Sequence, residues 1–196
     1  NKYFFHKMLV DLNNWYRCKI DREVLKELSK KSDLKGFQHI FIFFGLLILT
    51  GLLAYISWGS WWSIFWFLIY GNIYSFSNPL WHETGHKTAF QSKFLNEFFY
   101  YISSYMANFE PIRWRYTHFI HHGNTYSTEN PFDHEIEYGN NLKETPKRLI
   151  INVIPFLDLI YFKKHISFEI ILHALRIKTK VMRDSIPENV QAKAIF

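Results

Sequence analysis

The stretch Gly36–Leu80 reads GFQHIFIFFGLLILTGLLAYISWGSWWSIFWFLIYGNIYSFSNPL and holds no Asp, Glu, Lys or Arg in 45 residues. A helix needs about 20 apolar residues to cross a bilayer, so the run is long enough for two crossings. It divides itself at WGSWW, a Gly-Ser turn flanked by Trp58, Trp61 and Trp62. Tryptophan favours the headgroup level, which places a tight hairpin turn at one membrane face. The expected spans are residues 36–58 and 61–80. The alternative is a buried helical hairpin of a soluble protein.

Working outward, the charges orient the hairpin. Nine Lys and Arg precede Gly36, four follow between Lys87 and Arg115, and the turn has none. Positive residues stay inside, so both flanks are expected in the cytoplasm. The formal net charge of +6 then reflects topology and contact with membrane lipids, and a nucleic-acid partner is not needed to explain it. A single cysteine, Cys18, excludes an internal disulfide framework and a thiolate metal cluster. Any metal must be held by nitrogen and oxygen.

The expected fold is all-α. It comprises a cytoplasmic helical segment over 1–35, an integral membrane two-span hairpin over 36–80, a cytoplasmic region over 81–137 and an interfacial or cytoplasmic region over 138–196. Asp21 caps a short helix in DREVLKELSKK, and Gly36 marks where the chain meets the lipid. Residues 92–106 predict an aromatic helix too polar to span, suited to the interface. Residues 149–162 predict a membrane-surface or re-entrant element, being short for a crossing.

Five of the ten histidines fall in two groups. His82 and His86 in WHETGHKTAF stand four apart, so both imidazoles leave one helix face. Asn78 and Pro79 suit a cap and first turn for that helix. In HFIHH, His118 shares a face with both His121 and His122; Pro111 suits the start of that helix and Gly123 its end. Five imidazoles next to one membrane face would repel if protonated, and each would need a partner if buried and neutral. A metal resolves both problems. His-Glu-x-x-His with Glu83 as general base is the pattern of a zinc peptidase, but that reading leaves HFIHH unused. Five nitrogen ligands suit two metal ions, and open nitrogen-rich sites suit iron that binds oxygen; Glu83 then becomes a supporting partner.

HETGH followed by HFIHH after a two-span hairpin resembles the histidine boxes of the membrane fatty acid desaturase and hydroxylase superfamily. WHETGHKTAF and WRYTHFIHHGNT look most like its bacterial desaturase-like branch. The resemblance covers about residues 32–137. It implies an oxidoreductase that takes an acyl lipid and O2, with two iron ions held by His82, His86, His118, His121 and His122. Electrons would come from a ferredoxin-like or haem carrier. The superfamily carries a third box after a second pair of spans, which this sequence lacks, so the chain resembles the front half of such an enzyme and is expected to be inactive alone. In NPFDHEIE, Asp133 or Glu135 is a candidate to orient a ligand imidazole through its second nitrogen, and His134 a candidate further ligand; the alternative is a polar loop with Asn-Pro turn chemistry. Arg113 and Arg115 are expected to anchor headgroups, or else to bind an acyl thioester. The rival functions are a related hydroxylase of alkane, lipid or carotenoid, the zinc peptidase, and a non-catalytic membrane protein.

Overall fold

The computed structural model describes residues 19–125, 133, 135, 172, 175 and 177–193. Every regular element among them is a helix. His134 and the expected element at 149–162 lie outside the described residues. The chain divides into two compact units, Asn1–Lys31 and Ser32–Phe196.

In the first unit, α1 (Arg22–Leu28) is capped by Asp21, whose carboxylate accepts from the amides of Glu23 at 2.8 Å and Val24 at 3.2 Å. A short side chain at this position satisfies amides that lack an intrahelical partner.

The second unit opens with α2 (Asp33–Ile56), capped by Ser32. The helix starts three residues ahead of Gly36, because Ser32 provides the cap and Asp33 suits the first turn. Gly36 serves packing instead: a Cβ there would stand 2.4 Å from the Phe90 ring and 2.7 Å from the Ala89 carbonyl oxygen. At 24 residues, α2 is about 36 Å long. Among the described residues it is the one helix long and apolar enough to cross a membrane.

The expected second span is not one helix. α3 (Trp61–Tyr74) runs for 14 residues, about 21 Å, and the chain restarts as α4 (Ser77–Gly85). Pro79 explains the break. It has no N–H to give the Ser75 carbonyl, which accepts instead from Asn78 at 3.1 Å, while Phe76 bonds back to Ile73 at 3.0 Å. The ladder tightens for one turn. As a result α4 begins ahead of Asn78, with Phe76 as its cap residue.

α2 and α3 pack along each other. The residues buried on α2 are mostly small (Gly36, Thr50 and Ala54, with Ile40), while Phe41, Ile42, Ile48, Trp61 and Leu68 are exposed. Small residues inside and bulky apolar ones outside suit a lipid surround, where close backbone approach rather than apolar burial joins helices.

α5 (Lys93–Met106) carries the same inversion. Phe94, Phe98, Tyr101 and Tyr105, spaced by four, three and four, form an exposed aromatic stripe, whereas Asn96, Ser103 and Ser104 are buried with Phe99 and Tyr100. Asn96 is fully satisfied: it accepts from the Phe90 amide at 3.2 Å and donates to the carbonyls of Phe90 and Ser92, both at 2.8 Å. Asp33 accepts from the Ser92 amide at 2.8 Å. These bonds fix the loop between α4 and α5 over a core of Ile40, Phe90 and Phe99. α6 (Pro111–Gly123) starts at Pro111 with Glu110 as its cap. Two short helices, α7 (Lys180–Ser185) and α8 (Glu188–Gln191), follow, and Met182 and Ile186 pack against Ile112 and Tyr116 of α6.

Candidate metal centre

Two local features aim the first histidine pair. Trp81 is buried, and its indole meets Phe109 at 4.9 Å, Trp114 at 5.9 Å, Tyr100 at 6.3 Å and the His118 ring at 5.2 Å. It joins α4, α5 and α6 directly beneath the histidines. Gly85 lets α4 approach α5: a Cβ there would lie 3.0 Å from Tyr100 Cε2, a close approach that a larger residue opposes. Burial pushes the Tyr100 phenol up to about 12, so it stays protonated and donates to the Pro111 carbonyl at the start of α6.

On this base the helices bring His82, His86, His118 and His122 together. One ring nitrogen from each lies within 4.8 Å of all the others. Nε2 of His122 is 3.1 Å from Nε2 of His86 and 3.0 Å from Nε2 of His118. His121 lies apart from this group, its ring centroid 5.8 Å from those of both His118 and His122. At about 100° per residue, positions 118 and 122 nearly coincide around the helix, while 121 turns away by more than a quarter circle from 122.

Two carboxylates from beyond α6 meet the outer nitrogens. His118 Nδ1–H donates to Glu135 Oε2 at 2.8 Å, and His121 Nδ1–H donates to Asp133 Oδ2 at 3.0 Å. Asp133 is completely buried and also accepts from the Glu135 amide at 3.0 Å. A donated Nδ1–H leaves the neutral ring with its lone pair on Nε2. Glu83 has a different place. Its Oε2 accepts from Thr88 Oγ1 at 2.6 Å, and its Oε1 is 3.7 Å from His82 Nδ1, too far for a hydrogen bond.

Protons serve this cluster poorly. The best neutral arrangement shares one N–H of His122 between the lone pairs of His118 and His86. A cation accepts every lone pair at once. Two nitrogens bound about 2.1 Å from one ion at a right angle stand about 3.0 Å apart, the spacing observed here. The imidazoles therefore fit a metal. Titration points the same way. Burial, followed by the charges of His82, His118 and His122, holds His86 below the ordinary histidine range. Burial and then the charges of His118, His82 and His121 do the same for His122, although its residue is largely exposed. Both rings favour the neutral, ligating form.

A cavity of about 290 Å³ adjoins the cluster, lined by Trp81, Gly85, Tyr100, Arg115, Tyr116 and Phe119 beside His82, His86 and His118. The two arginines expected at headgroups make contacts within the protein. Arg113 is buried, its guanidinium 5.3 Å from the Trp114 ring centre. Arg115 donates to Glu97 at 2.9 Å and lies 4.2 Å over the Tyr100 ring. An arginine stem and a planar guanidinium pack well on aromatic faces, which here outcompetes solvent.

The roles of Trp81, Gly85 and Tyr100 were not read from the sequence. Their signal is faint, a small residue and two aromatics in a chain where one residue in five is aromatic.

The family model described as fatty acid desaturase matches residues 56–191. No curated protein and no solved structure matches the chain.

Proposed function

The chain belongs to the fatty acid desaturase family, and on that premise we propose that it serves a membrane-bound, oxygen-dependent di-iron oxidase that desaturates a fatty acyl chain. Membership supports an oxidoreductase of the desaturase or hydroxylase type, and the family's substrates are acyl lipid and O2. The observation that carries the finer reading is the convergence of four imidazole nitrogens from α4 and α6 within 4.8 Å.

In this reading His82, His86, His118 and His122 hold one ion. His121 would contribute to a second. Bound iron supplies the oxygen chemistry needed to take hydrogen from an unactivated methylene. The protein's residues do the rest. Glu135 and Asp133 hold the outer protons of His118 and His121, which fixes each ring's tautomer and leaves its lone pair on Nε2. Trp81, Tyr100, Tyr116 and Phe119 give the cavity an aromatic wall that excludes water and accepts an apolar chain. Each buried CH2 contributes about 0.8 kcal/mol, nearly the same at every position. The site of oxidation is therefore set by the shape of the channel rather than by affinity.

The charge distribution around Gly36–Leu80 supports a cytoplasmic position for the histidines, and α2 with the α3–α4 arm would form the membrane hairpin. Electrons would arrive from a ferredoxin-like or haem carrier at that face. Two measurements on the natural full-length protein test the reading. Metal analysis should find about two irons per chain; one zinc would overturn it. Mass spectrometry of acyl products should find loss of two hydrogens; a retained hydroxyl would move the assignment to a hydroxylase.

A further inference from the structure

Glu97 lies on α5, the helix between the two histidine segments. Its carboxylate oxygens face different partners. Lys87 Nζ is 3.1 Å from Oε1, and Arg115 Nη2 donates to Oε2 at 2.9 Å. Lys87 directly follows His86. Arg115 precedes His118 by three residues and His122 by seven, so all three share one stripe of α6. One carboxylate thus bridges the neighbours of both histidine pairs. Burial raises the Glu97 carboxyl, but hydrogen bonds from Arg115 and Lys87 outweigh it and bring the group below the usual range. The two cations thus favour its anionic form.

The backbone at Lys87 points the same way. α4 ends in a turn where the Lys87 amide bonds to the Thr84 carbonyl and the Thr88 amide to that of Glu83, both at 3.0 Å. Lys87 takes the left-handed position of this turn, with φ at 60°, where glycine is favoured. α5 ends in the same kind of turn, with Asn108 at φ 56°, a residue that tolerates it. Lysine has no such tolerance, so what it brings is the side chain that reaches Glu97. Arg115 is likewise fixed twice on α5, by Glu97 and by the face of Tyr100.

We propose that Glu97 is a positioning residue that sets the spacing between the two histidine pairs and thereby the metal affinity of the four-imidazole group. A half-exposed ion pair adds little to overall stability; the effect here is on geometry. The metal part rests on the reading of that group as a metal site.

The test uses the natural full-length protein in lipid nanodiscs, with Glu97→Gln and Lys87→Gly. The second variant removes the cation while relieving the left-handed backbone, so it folds at least as readily. Cobalt(II) binding is measured by competition. In a Cys18→Ser background, spin labels at Asn78→Cys, exposed on α4, and Gly123→Cys, where a Cβ meets open space, report the spacing of the two segments without metal. Both variants should keep their helix content, lose about tenfold or more in cobalt affinity and broaden the label distance distribution. The double variant should match Glu97→Gln alone, as expected of partners in one network. Unchanged affinity and spacing in Glu97→Gln would overturn the proposal, and so would a loss of affinity without broadening. If the parent protein binds no cobalt while Glu97→Gln still broadens the distances, the positioning role stands and the metal reading falls.

Discussion

The two histidine segments reach the same point by different means. On α6, His118 and His121 are held from behind by carboxylates, Glu135 at 2.8 Å and Asp133 at 3.0 Å. On α4, the Glu83 carboxylate stands 3.7 Å from His82 and is bonded to Thr88. The first pair is aimed by packing instead: Trp81 below, Gly85 against Tyr100, and the turn at Lys87. A charge-assisted hydrogen bond orients one ring and tunes its basicity. Packing orients a whole helix and gives its rings no carboxylate partner of their own. The two segments should therefore fail differently when perturbed.

The largest effect removes the meeting point itself. His118→Ala should reduce acyl oxidation to background and lower the bound iron, checked by product mass spectrometry and metal analysis. If activity persists, the convergence is not the working site. Next come the carboxylates. Asp133→Asn and Glu135→Gln should each weaken metal binding by about 10–100-fold with little change in melting temperature, measured by competition with a chelator. On the packed side, Gly85→Ala should show the reverse pattern, a loss of about 1–3 kcal/mol of stability from forced repacking against Tyr100, seen as a lower melting temperature. Equal behaviour of the two sets would erase the contrast.

A pH experiment sharpens it further. His86 and His122 titrate below their unfolded value. Between the folded and unfolded values the unfolded chain binds more protons, so stability of the metal-free protein rises with pH through that window and falls on acidification. The expected result is a melting temperature that drops as pH goes below about 6.5, and a smaller drop in His82→Ala, which removes a neighbouring charge. Smallest of all, Glu83→Gln should alter activity by about twofold or less, in line with an exposed surface change. A large loss would instead support Glu83 as a general base and return the peptidase reading.

Much of the fold was legible because its signals are local. Asp21, Ser92 and Pro111 mark helix starts by satisfying or lacking amides at the first turn, and all three helices begin beside them. The break in the second arm was less so. Ser75–Pro79 lies in an uncharged run; Asn78 and Pro79 pointed to a new helix there, but its start at Ser77 depends on the tightened turn ahead of it. The contacts of Arg113 and Arg115 were not legible, because a positive residue near a membrane face has a ready alternative in the headgroups.

What the sequence by itself determined is whatever follows from helical period and composition: an apolar stretch suited to lipid, two histidine pairs each confined to one helix face, and a family likeness. Only the tertiary structure decided that four of five histidines meet while His121 turns toward Asp133, and that Glu97 stands between the segments. The physical reason is range. A period of 3.6 residues fixes directions within a helix, whereas the meeting of His86 and His118, 32 positions apart, depends on which buried surfaces, here Trp81, Gly85 and Tyr100, fit against one another.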